Sequence, residues 1–327
     1  MKQSTVIRLL ILGLPIGLIV TGTTSMIWHF NKPKKEQAPR IFTTLAEEIT
    51  EDTLSGYARN LSEIIGPRHV SSPAALERAA NYLESTLGER NIGYQVARQE
   101  FEVEGEFYRN LWMEIPGGKR RNECVVLTAH YDASAGQAGR NSNASGVAAI
   151  IALAENFIRE APMLTIRLAL LTNGTAPHVG TEHSGAAHFA TKLKQLGDQV
   201  QAVYCLDSIG AFPTEHAAFP DTLASYLPES GPFLTALADD GSLGLLKQTS
   251  DTLSAVLPFT VHQAALMHEA SSFFKAHDAG PFQALGFPTM IIGGNGVFFS
   301  EDLPVNAEKL THVTRALATL VRVLTNP

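Results

Sequence analysis

The nine residues CVVLTAHYD, 124–132, form an apolar run that ends in a histidine and an aspartate. Three further short, continuous apolar runs occupy 166–172, 202–206 and 288–292. Such runs are typical of strands that are covered on both faces of a parallel sheet. Together they predict an α/β protein with a mixed, mostly parallel central sheet.

The segments between these runs have the pattern of helices. Ser72, followed by a proline, predicts a helix start with serine as the N-cap and proline in the first turn. Helical spacing of apolar residues predicts further helices near 144–158, 183–196 and 306–325, the last with Asn306 as its N-cap. Helices that alternate with buried strands predict a three-layer α/β sandwich.

Two other segments have different patterns. Residues 94–103 alternate like a half-buried strand, and residues 106–114 are predicted to pair with them. Residues 208–265 are richer in proline, glycine and polar residues, which predicts an insertion of loops and short helices. We expect this insertion beside the C-terminal edge of the sheet, where ligands of open α/β sheets usually bind.

Length and composition allow one large domain. The chain has 327 residues, of which 45% are hydrophobic, so it can bury a sizeable core. We predict an α/β domain at 43–327, a polar linker at 31–42 and a separate apolar segment at 1–30. The two cysteines, Cys124 and Cys205, are too few for a disulfide framework, and each lies in an apolar run where a buried thiol is ordinary.

The charge is uneven along the chain. Residues 1–40 contain six Lys or Arg residues and one acidic residue, while the rest contain 19 basic and 31 acidic residues. Nucleic-acid binding needs clustered basic side chains. The acidic globular part therefore argues against nucleic acid as a partner.

The apolar segment has the length of a membrane span. Residues 9–29, LLILGLPIGLIVTGTTSMIWH, are almost uncharged, and about 20 such residues can cross a bilayer. The sequence predicts an N-terminal transmembrane helix that anchors the protein to a lipid bilayer, with a cleaved signal peptide as the alternative. Either alternative predicts an extracytoplasmic globular domain, which is membrane-bound in the first case and secreted in the second.

Polar residues at the ends of two strands are candidates for chemistry. A histidine such as His130 is a good zinc ligand, and a nearby carboxylate such as Asp132 can orient it. Asp207 ends the strand-like run AVYCLD and could share a metal with His130. A hydrogen-bonded structural histidine and a turn-capping aspartate remain alternatives for these residues.

The order of these pieces resembles a known family. IGPRHVSSPAALERAANYL at 65–83 is followed by a predicted strand pair, by RNLWMEIPGG at 109–118 and by the first core strand. NGTAPHVGTEHSGAAHFA follows at 173–190. The chain is similar to the co-catalytic zinc aminopeptidases of peptidase family M28, from about Leu45 to its end. The resemblance implies a zinc-exopeptidase-like fold.

The resemblance carries two metal ligands onto this chain. The family's first-metal histidine falls on His130, and its first-metal acid falls on Asp207. The aspartate that orients the histidine falls on Asp132. These three residues are the retained part of the family's site.

Four other positions of the family's site hold residues with different chemistry. The bridging aspartate falls on Ser142 and the second-metal glutamate on Thr175. The second-metal histidine falls on Ala279, and the general base falls on Gly174, so no catalytic residue is retained. Metal-assisted hydrolysis needs a carboxylate to take the proton from the attacking water.

Other polar residues near these positions are alternative ligands. His277 lies two positions before Ala279, and His178 and Glu182 follow Gly174 in the same loop. We expect the loop residues to form a solvated surface, but relocated ligands would restore a metal site.

The leading hypothesis is a membrane-anchored, aminopeptidase-like domain with a degraded two-metal site and no cofactor. It would bind a peptide or protein in the former active-site crevice or serve as a scaffold. The alternative is an active metallo-exopeptidase that hydrolyses peptide bonds with zinc and relocated ligands. No G-x-S-x-G motif suggests a serine hydrolase in its place.

Overall fold

The computed structural model describes residues 48–215, 223, 226–228, 230–266, 271–300 and 302–327, without the side chains of 271 and 272. The predicted membrane segment and linker lie outside the described residues. Within the described part of the chain, no helix is both long and apolar enough to cross a membrane.

Eight strands form one mixed sheet with the order β1-β2-β4-β3-β5-β8-β6-β7. The strands are β1 Ala97–Val103, β2 Glu106–Ile115, β3 Arg120–His130, β4 Leu164–Leu171, β5 Gln199–Leu206, β6 Leu234–Asp239, β7 Val261–Leu266 and β8 Thr289–Gly294. The four strands β4, β3, β5 and β8 pair in parallel, whereas β1 and β2 pair antiparallel with each other, and β2 with β4. The parallel centre is the part that the apolar runs predict.

Helices cover both faces of this sheet. They are α1 Glu51–Arg59, α2 Pro73–Leu87, α3 Ser145–Phe157, α4 Gly185–Leu196, α5 Leu243–Val256, α6 Ser271–Lys275, α7 Ala279–Ala284 and α8 Ala307–Thr325. The first core cluster contains residues from α1, α2, α3, α5 and α8, and the second contains residues from α4, α6 and α7. The predicted three-layer arrangement is therefore present.

Alternation along β3 divides its side chains between the two layers. Val125 and Leu127 belong to the first core cluster, while Cys124 and Val126 belong to the second. Both cysteines are free and buried. A strand packed on both faces is rigid, so its last residue, His130, has a fixed position at the edge of the sheet.

One of the two predicted helix caps makes the expected hydrogen bond, and the other does not. The side chain of Asn306 accepts a hydrogen bond from the Lys309 backbone amide, as an N-cap does. Ser72 precedes α2 with Pro73 in its first turn, but its side chain makes no capping hydrogen bond. The position of the helix start is confirmed, and the capping interaction predicted for Ser72 is wrong.

The prediction of loops and short helices for 208–265 is also wrong. This segment adds β6, the 14-residue helix α5 and β7 to the sheet. β6 pairs antiparallel with β8, so the sheet continues beyond its parallel centre. These strands have only six residues each, and their apolar runs are too short to stand out from a polar, glycine-containing background.

Candidate functional site

A cavity of about 220 Å³ lies at the C-terminal ends of the central strands. His130 comes from the end of β3, Gly174 and Thr175 from the loop after β4, and Asp207 from the end of β5. Parallel strands end at the same edge of a sheet, which explains why these distant residues meet. Ser142 also lines the cavity.

His130 is buried and has a neighbour at each ring nitrogen. Its Nδ1 lies 3.2 Å from the backbone oxygen and 3.4 Å from Oδ1 of Asp132, and its Nε2 lies 3.4 Å from Oγ of Ser142. Burial lowers the pKa of His130, but the hydrogen bond and charge of Asp132, with the charges of Asp278 and Asp207, raise it to about 9. Asp132, His130 and Ser142 thus lie in a row, but the 3.4 Å between Nε2 and Oγ is at the long end of hydrogen-bond distances.

Asp132 connects the end of β3 to the loop after β4. Its Oδ1 accepts a 2.9 Å hydrogen bond from the Gly174 amide, and its Oδ2 accepts bonds from the Thr175 amide at 3.0 Å and hydroxyl at 2.7 Å. Burial opposes ionisation, but the hydrogen bonds and charge of His130 and the bonds from Thr175 and Gly174 lower the pKa of Asp132. The hydroxyl of Thr175 is thereby engaged with Asp132.

Gly174 packs directly against the His130 side chain. A Cβ atom at position 174 would lie 2.4 Å from Cβ and 2.5 Å from Cγ of His130. Such distances are far inside van der Waals contact. The present arrangement therefore has no space for any side chain at the position that corresponds to the family's general base.

Arg68 holds the chain segment that leads from β3 to Ser142, and the sequence reasoning did not identify it. Its guanidinium is fully buried and donates to backbone oxygens at both ends of the segment between β3 and Ser142. The acceptors are Tyr131, Ala138, Gly139, Leu61 and Gly66, at 2.6 to 3.3 Å. Burial lowers the pKa of Arg68 to about 10. The sequence shows this arginine in the segment IGPR, but the local pattern does not indicate its contacts.

Two carboxylates complete the acidic side of the cavity. Asp207 accepts a 2.9 Å hydrogen bond from the Ser208 hydroxyl. Asp278 is 8% exposed, and its Oδ1 has no hydrogen-bond partner among the described residues. Burial raises the pKa of Asp278 to about 7, although the charge of His130 lowers it. The sequence reasoning assigned no role in the site to Asp278.

Of the candidate positions near the C-terminus, 277 and 278 line the cavity, whereas 279 lies in the core. His277 and Asp278 line the cavity, and Nδ1 of His277 lies 2.8 Å from the Phe273 backbone oxygen. Ala279 is fully buried in the second core cluster with Phe282 and is not part of the cavity wall. The chain thus turns its 277–278 side chains, rather than position 279, towards the site.

The candidate ligands in the loop after β4 lie away from the cavity wall. The ring of His178 is buried beside His183 and Tyr108, with centroid distances of 5.9 and 6.3 Å. Glu182 is exposed. Neither His178 nor Glu182 is among the residues that line the cavity.

The residues present do not fit a two-metal site. Zinc sites usually need three or four protein ligands. Across the described ranges, no group of three or more His, Cys, Asp or Glu side chains is arranged to hold a metal ion. Nε2 of His130 faces a serine hydroxyl where the family's pattern has a bridging carboxylate.

Sequence comparison gives the family. A profile of Peptidase family M28 matches residues 110–312, which is more than half of the chain. The chain belongs to Peptidase family M28. A curated relative, "Uncharacterized protein YfbL" of Escherichia coli (strain K12), is 22% identical over 222 residues, which are 64% of this chain and 67% of the relative.

Solved structures, among them a zinc aminopeptidase and a glutaminyl cyclase, share the fold of this M28 member. BSAP, a zinc aminopeptidase from Bacillus subtilis, superimposes with a TM-score of 0.65 at 12% identity, over 85% of this chain and 96% of that one. LapB from Legionella pneumophila gives 0.63 at 17% identity, over 86% and 74%. A glutaminyl cyclase from Bacteroides thetaiotaomicron gives 0.60 at 16% identity, over 84% and 98%. At these identities the likeness concerns the fold alone.

Proposed function

We propose that this M28 member is a ligand-binding domain that has lost metal-dependent peptide hydrolysis. It keeps the crevice at the C-terminal edge of the sheet and binds a peptide or protein there. Membership of the family does not conflict with such a change, because fold does not by itself determine function.

The contact between Gly174 and His130 carries this proposal. A general base is absent at position 174, and the His130 ring also fills the volume that its Cβ would need. Removal of a general base commonly lowers a rate by about 100- to 10,000-fold. The loss is therefore built into the packing of β3 against the following loop.

The engagement of Asp132 supports the same conclusion. Both of its oxygens accept hydrogen bonds from residues 174 and 175, so the loop is held in a form that presents backbone and hydroxyl groups. In the family's pattern, these two positions supply a base and a metal ligand. Here they stabilise the loop.

The competing function is an active metallo-exopeptidase with zinc and relocated ligands. One observation favours it, since Asp278 and His277 line the same cavity as His130 and Asp207. These residues would have to hold the metal after a change in side-chain conformation. The base would still have to come from another residue.

Hydrolysis of aminoacyl-arylamides with added zinc separates these functions. We expect no turnover above that of a matched His130→Ala variant, whose cavity lacks the only imidazole that the family's pattern retains. The His312→Ala variant controls for loss of a histidine elsewhere, because His312 is half-buried on α8 and does not line the cavity. Turnover in the unchanged chain that His130→Ala abolishes and His312→Ala preserves would show an active enzyme.

We also propose that residues 9–29 anchor the domain to a membrane, with the domain on the extracytoplasmic side. The proposal is supported by the apolar, almost uncharged character of that segment. We expect the chain to remain with membranes after alkaline carbonate extraction and a deletion of 9–29 to release it. Release of the undeleted chain at its full mass would contradict the anchor, and release at a lower mass would indicate cleavage.

A further inference from the structure

The buried side chain of Asp278 indicates that the cavity binds a ligand. It is 92% buried, lines the cavity, and leaves Oδ1 without a hydrogen-bond partner among the described residues. It precedes helix α7 but does not cap it. A buried carboxylate oxygen without a hydrogen-bond donor is unfavourable, so a donor from outside the protein would stabilise it.

The charges around the cavity favour a cation as that donor. Asp132 already contacts His130 and accepts hydrogen bonds from the backbone amides of residues 174 and 175, so it is not available to a ligand. Asp207 and Asp278 then leave the cavity wall acidic. Asp207 has only the Ser208 hydroxyl as a hydrogen-bond donor among the described side chains.

The cavity wall suits an organic cation better than a metal ion. Across the described ranges, no three His, Cys, Asp or Glu side chains are arranged to hold a metal. The wall also contains apolar side chains, which are Val179, Val297 and Phe299. An alkyl chain attached to the cation could pack against these residues, whereas a hydrated metal ion could not use them.

We propose that the cavity binds a primary ammonium group between Asp207 and Asp278, in place of the metal charge that the family's pattern would have there. This inference rests on the proposed ligand-binding function. An ammonium group has three donors, which suit two carboxylates and one of the cavity hydroxyls, such as Ser142. Charge-assisted hydrogen bonds of this kind are among the stronger polar contacts in proteins.

Calorimetric titration of the 327-residue chain with small amines tests the inference. The probes are L-leucinamide, which has a free α-ammonium, and Nα-acetyl-lysine amide, which has only a side-chain ammonium. N-acetyl-L-leucinamide is the uncharged match to the first probe. We expect binding by at least one ammonium probe and none by the acetylated amide, and the two ammonium probes distinguish a peptide N-terminus from a lysine side chain.

Carboxylate-to-amide variants connect the binding to the two aspartates. We expect Asp278→Asn and Asp207→Asn each to weaken amine binding by about tenfold or more, since each loses a charge-assisted hydrogen bond. Asp240→Asn is the matched control, because Asp240 is exposed and follows β6, which runs antiparallel to β8 and ends at the opposite edge of the sheet. It should bind the amine like the unchanged chain.

Several results would overturn the inference. Equal binding of the acetylated amide, no binding of either ammonium probe, or amine binding that both cavity variants leave unchanged would each contradict it. Stoichiometric binding of zinc chloride alone, lost in the Asp278→Asn variant, would replace the ammonium with a metal ion. A negative result for amine binding does not contradict the proposed absence of hydrolysis. Hydrolysis that depends on His130 contradicts the proposed function whether or not amines bind.

Discussion

At the scale of single residues, the contact between Gly174 and His130 explains how the site departs from its family. A charged side chain at 174 has to compete with an imidazole that two hydrogen-bonded neighbours hold in place. Any side chain at position 174 therefore needs movement of β3 or of the following loop. A single substitution at position 174 does not by itself make space for a general base.

This leads to a prediction for position 174. We expect Gly174→Ala and Gly174→Glu each to destabilise the fold by about 1–3 kcal/mol because of overpacking, and Gly174→Glu to produce no peptidase activity. Chemical denaturation measures the first effect, and an arylamide assay with zinc measures the second. Gly244→Ala is the control, since a Cβ there meets nothing within 4 Å, and helix propensity predicts no loss of stability.

A stable Gly174→Glu variant with new turnover would contradict this prediction. It would mean that the His130 ring moves aside easily. The packing of the loop would then not be what prevents hydrolysis.

A second residue-scale prediction concerns the pH dependence of stability at Asp278. Burial raises the pKa of this carboxyl from 3.8 to about 7 in the folded state, so the fold favours the protonated form. Its contribution to stability is therefore greatest below pH 4 and declines as the pH rises from about 4 to 7. We expect Asp278→Asn to gain stability relative to the unchanged chain over this window.

Denaturant unfolding from pH 4 to pH 8 tests this sign, with the exposed Asp240→Asn as the control. A relative stability of Asp278→Asn that is constant or falls with pH would contradict the assignment. Amine-free buffer is needed, because a bound cation would itself stabilise the charged carboxylate.

At the scale of elements, Arg68 joins three segments that are far apart in the chain. Its donors meet backbone oxygens after α1, at the end of β3 and before α3. The loop that carries Ser142 thus depends on one buried side chain. We expect Arg68→Met to destabilise the protein by more than about 3 kcal/mol, because several buried carbonyl groups lose their donor together.

Thermal unfolding of Arg68→Met and Arg59→Met tests the role of this arginine. Arg59 is the matched control, since among the described residues its side chain pairs with Glu63, four positions later and exposed, and such pairs contribute about 0.3–0.5 kcal/mol. Equal and small effects of both substitutions would show that the loop does not depend on Arg68.

The strands of the parallel centre could be predicted because each contains a continuous, largely apolar run, even the six-residue strand β8. β3 and β4 have 11 and 8 residues, and all of β4 is buried, so the apolar runs were unmistakable. β6 and β7 also have six residues, but polar residues interrupt their apolar runs, and the sequence predicts loops there. Their strand form depends on pairing with β8 and with each other, and the local sequence does not record such tertiary contacts.

At the scale of the whole molecule, the sequence located the site but could not describe its wall. His130, Asp132 and Asp207 end adjacent strands, so fold topology alone brings them together. The exposure of Asp278 to the cavity depends on how the chain turns before α7, and the sequence offered position 279 instead. The contact between the His130 ring and Gly174 could not be predicted either, because it depends on the distance between two neighbouring strands.

The zinc content of the purified 327-residue chain tests the central claim most directly. After incubation with excess zinc and removal of the free ion, elemental analysis should give well below one zinc per chain, and His130→Ala should not change this value. About two zinc ions per chain, lost in the His130→Ala variant, would show that the cavity still assembles a two-metal site and would contradict the account.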